Sequence, residues 1–89
     1  ILKIDLQKYE VTVNDEPVSL TATEFKLLKI FAEKRGLVFS RERLLAKLWG
    51  DDKLVVNRTI DVHIKNLREK LGEAGKYIIN VRGVGYKIS

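Results

Sequence analysis

The 89-residue chain has no cysteine, no methionine, one proline and one histidine. Without cysteine it has neither a disulfide nor a thiolate metal site, so a hydrophobic core must hold the fold unaided. A single histidine, His63, excludes a multi-histidine metal centre and argues against a histidine-based triad. Asp51 and Asp52 adjoin, but no base or metal partner stands near them, and Gly83-x-Gly85 is not followed by a helix or a Gly-Lys-Ser/Thr step. We therefore expect no enzyme, no metal and no cofactor. No apolar run approaches the roughly 20 residues of a membrane helix, and no signal-peptide pattern opens the chain. From this we expect a cytoplasmic protein without membrane contact. The length suits one domain, 1–89. The opening Ile1 and the lack of methionine lead us to expect a domain excised from a longer chain.

What is present is charge, unevenly spread. Seventeen Lys and Arg stand against twelve Asp and Glu, a net +5. Residues 1–57 carry a net +1 and residues 58–89 a net +4, so the last third is the electropositive end, suited to a polyanion or simply to solvent.

Periodicity divides the chain into elements. Leu2, Ile4 and Leu6, then Tyr9, Val11 and Val13, alternate with polar residues as half-buried strands do. Asn14-Asp15 suits a tight hairpin, and Val18 and Leu20 after Pro17 predict a third strand of an antiparallel meander. At Thr21 the period changes. Thr21 and Glu24 have capping-box spacing, Leu20 and Phe25 the spacing of a hydrophobic staple, and Gly36 after Lys34-Arg35 predicts the stop of a first helix. Ser40 caps a second helix, with Phe39 and Leu44 repeating the staple and Gly50 ending it. Arg41 and Arg43 lie in its first turn, where the helix dipole disfavours cations; either an anion sits nearby or both are solvated. Asn57 caps a third helix over 58–71, whose core stripe is Ile60, Ile64, Leu67 and Leu71. Residues 77–82 and 86–88 then predict two strands joined at Gly83-Val84-Gly85.

The third helix carries the functional signal. At about 100° per residue from Ile60, Arg58, Val62, Lys65, Asn66 and Glu69 fall between about 140° and 240°, opposite the core stripe. Arg68 flanks this face on one side, Thr59 and His63 on the other. Arginine can read guanine, asparagine adenine, and valine a thymine methyl. The helix, about 21 Å long and roughly 10–12 Å across, fits a major groove about 12 Å wide. Thr59 and the helix start can hold a phosphate. Two helices, a turn and a third amphipathic helix form a helix-turn-helix candidate, and the glycine-tipped hairpin with Arg82 forms a wing able to approach a phosphate backbone or minor groove. His63 is placed equally well at the edge of the core. Tyr86 is placed to pack the wing on the third helix, with its hydroxyl within reach of a phosphate. An interaction module is the competing reading, with Leu54-Val55-Val56 as its best feature.

Four runs support more. Leu20-Thr21-Ala22-Thr23-Glu24-Phe25-Lys26-Leu27-Leu28, Phe39-Ser40-Arg41-Glu42-Arg43-Leu44, Arg58-Thr59-Ile60-Asp61-Val62-His63-Ile64 with Leu67-Arg68-Glu69-Lys70, and Val81-Arg82-Gly83-Val84-Gly85-Tyr86 resemble, in order and over essentially the whole chain, the OmpR/PhoB-type winged-helix domain. That domain is the C-terminal effector half of many bacterial two-component response regulators. The resemblance implies an α+β winged helix-turn-helix with an N-terminal antiparallel β-meander, three helices and a C-terminal β-hairpin wing over 78–88. It implies double-stranded DNA in tandem direct repeats as partner, a homodimer on DNA, and a receiver domain phosphorylated by a sensor kinase. It assigns base or phosphate contacts to Arg58, Thr59, Val62, His63, Lys65, Asn66 and Arg68, and wing roles to Asn80, Arg82 and Tyr86. The loop Trp49-Gly50-Asp51-Asp52-Lys53-Leu54-Val55-Val56-Asn57 matches the segment that meets RNA polymerase in activators. Lys65-Asn66 stands where some relatives carry two arginines, and Asn80 where threonine is frequent, so the operator is not implied.

Overall fold

The computed structural model describes residues 2–49 and 57–89, leaving aside the side chains of residues 49 and 57–59. Strand β1 (Leu2–Asp5) pairs antiparallel with β2 (Glu10–Val13), which pairs with the short β3 (Glu16–Pro17). The Asp5 carboxylate closes the first turn, accepting from the Gln7 and Lys8 amides at 3.0 Å each. The second turn is the predicted Asn14-Asp15 pair, both left-handed, with φ of 52° and 68°. The expected third strand is shorter than its alternation implied. Val18 donates to the Val11 carbonyl at 2.9 Å, after which the chain leaves the sheet to enter a helix. Val18 and Leu20 are still half-buried against the core.

Helix α1 (Ala22–Glu33) starts as its sequence dictates: Glu24 N–H donates to Thr21 Oγ1 at 3.1 Å, and Thr21 N–H to Glu24 Oε1 at 3.0 Å. It ends at Glu33, so Lys34 and Arg35 fall beyond its last turn. Gly36 N–H instead reaches across to the Ile88 carbonyl at 2.9 Å. Helix α2 (Arg41–Trp49) is capped by Ser40, whose Oγ accepts from Arg43 N–H at 3.1 Å. Helix α3 (Asn57–Leu71) runs into a 3₁₀ segment, Gly72–Tyr77, which buries Ala74 and takes Tyr77 out of the following strand. Strands β4 (Ile78–Val81) and β5 (Gly85–Ile88) form the C-terminal hairpin, in register Ile78↔Ile88 and Asn80↔Tyr86.

The core lies where the three helices meet the hairpin. Ile60, Ile64, Leu67 and Leu71, the predicted stripe of α3, are all buried with Leu27, Leu28, Phe31 and Leu44. Phe31 and Phe39 meet edge to face, centroids 6.0 Å apart. At 3% side-chain exposure the Glu24 carboxylate is buried, and it is bonded at 2.7 Å to the Lys70 ammonium, tying the start of α1 to the end of α3. Burial pushes the Glu24 pKa up, but the Lys70 ammonium and the Thr21 amide outweigh it and hold the group below its ordinary value.

Phe39 completes the hairpin. Its N–H donates to the Tyr86 carbonyl at 2.8 Å and its carbonyl accepts from Tyr86 N–H at 2.9 Å, so the link between α1 and α2 acts as a third strand beside β5. This approach requires glycine at 85, where a Cβ would lie 1.9 Å from the Phe39 carbonyl oxygen.

Candidate nucleic-acid interface

With its apolar stripe sunk into the core, α3 must turn its opposite face outward. Lys65, Asn66 and Glu69 are exposed, and the apolar Val62 is 53% exposed. This is the face the sequence marked for base reading. The side chains of Arg58 and Thr59, and the whole stretch Trp49, Gly50, Asp51, Asp52, Lys53, Leu54, Val55, Val56 and Asn57 assigned to polymerase contact, lie outside the described residues, apart from the backbone of Trp49, Asn57, Arg58 and Thr59 in α2 and α3.

The hairpin has its own exposed tip. Val84 N–H donates to the Val81 carbonyl at 2.9 Å, and Gly83 takes the left-handed φ of 79° that the turn needs. Arg82 and Asn80 are exposed, and Val84 is 56% exposed at the apex. A cation beside a bare glycine turn is suited to approach a phosphate backbone.

The residues placed at the flanks are drawn inward. Arg68 is half-buried, and its Nη2 donates to the Ile78 carbonyl at 2.7 Å, fastening α3 to the base of β4. His63 is half-buried and engaged with the rest of the protein. Arg41 and Tyr86 meet around a residue the sequence did not single out. Arg41 Nε donates to Asp61 Oδ1 at 2.8 Å, and Tyr86 Oη donates to the same oxygen at 2.7 Å. The Arg41 guanidinium lies 5.8 Å from the centre of the Tyr86 ring. The Arg41 hydrogen bond, joined by that from Tyr86, holds the Asp61 carboxyl below its usual range against the opposing effect of burial. Burial and then the Asp61 carboxylate push the Tyr86 phenol up, and the same hydrogen bond raises Arg41. The one available signal for Asp61 was an acid beside the reading face in the most basic third of the chain.

The comparisons with known proteins match this geometry. Residues 15–88 match the family model described as "Transcriptional regulatory protein, C terminal". The chain is 45% identical to the regulatory protein VanR of Enterococcus faecium over 98% of its length, and 41% identical to the phosphate regulon regulator PhoB of Escherichia coli over 99%. It belongs to the OmpR/PhoB-type winged-helix domains of response regulators.

The fold agrees with that membership. The Klebsiella pneumoniae RstA DNA-binding domain, solved in complex with the RstA box, superposes with a TM-score of 0.86 at 32% identity, covering 99% of this chain and 90% of that one. The chain spans 39% of the length of VanR and of PhoB, so it corresponds to one part of such regulators. Among the described residues, no helix of this OmpR/PhoB-type domain is long and apolar enough to cross a membrane.

Proposed function

We propose that the chain binds double-stranded DNA sequence-specifically, with α3 in the major groove and the wing on the adjoining minor groove and backbone. The observation that carries this reading is the outward face of α3, where an apolar Val62 stands exposed beside Lys65 and Asn66. An exposed valine gains nothing from water, whereas a thymine methyl would cover it. Val62, Lys65 and Asn66, with Arg58 one turn earlier, read bases. Thr59 and His63 at the flank, Asn80 and Arg82 on the wing, and the remaining guanidinium N–H groups of Arg41 and Arg68 meet phosphates. Tyr86 supports the wing from behind, its hydroxyl proton engaged by Asp61. The known DNA complex of the RstA domain supports the binding mode.

The same reading makes this domain the output half of a phosphorylation-controlled regulator in the cytoplasm. Its receiver domain answers to a sensor kinase, two copies occupy tandem direct repeats, and the segment 49–57 meets RNA polymerase. What supports this wider part is the likeness to VanR and PhoB and the two-fifths of their length that the chain spans.

Selection of bound duplexes from a randomised DNA pool at near-physiological salt tests the reading. Enrichment of a short motif, with binding that falls steeply as salt rises, is expected. Salt-sensitive binding without any enriched motif would remove the base-reading role.

A further inference from the structure

The wing is a two-stranded ribbon, an element only marginally stable alone, which the Phe39 backbone joins at Tyr86 to the link between α1 and α2. Here it is fastened to α3 by side chains at two heights. Arg68 holds the Ile78 carbonyl at the base of the hairpin, and Asp61 holds the Tyr86 hydroxyl closer to its tip. Asp61 and Arg68 are seven residues apart, about 10.5 Å along the helix. On the hairpin, Tyr86 pairs with Asn80, two residues and about 6.5 Å beyond Ile78. Beside the Phe39 pairing, these two separated ties fix the angle of the wing to α3 itself. Arg41 adds a third element to the upper tie, joining the start of α2 to the same carboxylate oxygen.

The charge of Asp61 suits this role. A carboxylate on a helix that faces a polyanion repels it, and Asp61 is half-buried with Arg41 and Tyr86 donating to one of its oxygens. Resting on the DNA-binding reading above, we propose that Asp61 is a positioning residue: it reads no base but, through Tyr86 and Arg41, sets the angle between the recognition helix and the wing, so that Arg82 and the readers of α3 engage one duplex in a fixed register.

A double-mutant cycle on the 89-residue chain tests this, using the duplex that the wild type selects. Arg82→Ala removes the wing-tip contact and Tyr86→Phe removes only the hydroxyl from a ring that is 6% exposed. Arg82→Ala is expected to weaken binding about tenfold in the wild type and about threefold or less in Tyr86→Phe, because a loosened wing no longer delivers its arginine. Asp61→Ala should show the same coupling, and Asp61→Asn, which keeps an acceptor for the tyrosine, should restore part of it. Amide relaxation at Gly83 and Val84 should report greater motion in Tyr86→Phe with α3 unchanged. An equal loss on Arg82→Ala in all backgrounds would overturn the positioning role, since a purely stabilising contact adds without coupling. Failure of the wild type to select any duplex would instead overturn the DNA reading itself.

Discussion

Replacing Lys70 with methionine keeps most of the side-chain volume and removes the ammonium bonded to the buried Glu24 carboxylate. At 2.7 Å and an effective dielectric of about 20, two unit charges attract by roughly 6 kcal/mol. Lys70 is 39% exposed, so water screens much of that attraction. Stranding a buried charge costs roughly 3–5 kcal/mol, and the screening puts Lys70→Met near the lower end, about 3 kcal/mol. A domain of this size has a total stability of roughly 4–13 kcal/mol, so the melting temperature should fall by about 12–24 °C. The carboxylate is the source of the penalty, so Glu24→Gln should rescue Lys70→Met at pH 7. The pH dependence should also reverse. In the wild type, Glu24 is held below its ordinary value, so its contribution is present above that value and lost as pH falls through the lowered one. Without the ammonium, burial is opposed by the Thr21 hydrogen bonds alone, and the folded value should rise above the ordinary one. Stability is then greatest in acid and is lost as pH rises through the raised value. Urea unfolding of the four combinations between pH 4 and 7 measures this. A Lys70→Met variant within about 0.5 kcal/mol of wild type at pH 7, or no rescue by Glu24→Gln, would refute the reasoning.

Gly85→Ala should cost about 2–4 kcal/mol, because its Cβ would force apart the two Phe39–Tyr86 bonds and loosen the tyrosine behind them. Amide exchange at Phe39 and Tyr86 checks this, and unchanged protection would count against it. Asn66→Ala, on an exposed position, should leave stability within about 0.5 kcal/mol yet lower discrimination among bases by about 1–3 kcal/mol. Competition with single-base variants of the selected duplex gives that number. Tyr86 should ionise above the ordinary phenol value, so the stability it lends is present below that value and lost as pH rises through the raised one. Asp61→Asn should bring the ionisation to lower pH, followed by the Tyr86 ring signal in NMR; superimposable curves would remove the carboxylate as a cause.

Much of the fold was legible because its signals are local. The Thr21–Glu24 capping box, the Asn14-Asp15 turn and the α3 stripe each act within a few residues, and each stands where it was expected. The outward face of α3 was legible too, since it is the complement of a stripe that must be buried. Long-range partners were not. Lys70 with Glu24 and Tyr86 with Asp61 are separated by 46 and 25 residues and meet only through packing. Arg68 illustrates the limit of helical angles: its long arm sets out at the edge of the reading face, yet its head reaches back to a carbonyl of β4. The missed 3₁₀ segment has a related cause. Residues 72–77 carry little apolar pattern, and what organises them is the burial of Ala74 and of Gly75, where a Cβ would lie 2.5 Å from the Arg68 carbonyl oxygen.

The bonds from β5 to Gly36 and Phe39 bear on how the molecule can be made. A ribosome delivers the meander and the helices before β5, but the core they enclose stays open on one side until Tyr86 and Ile88 arrive to close it. The helices thus keep part of their apolar surface uncovered until the wing turn has been made, and β5 completes the core.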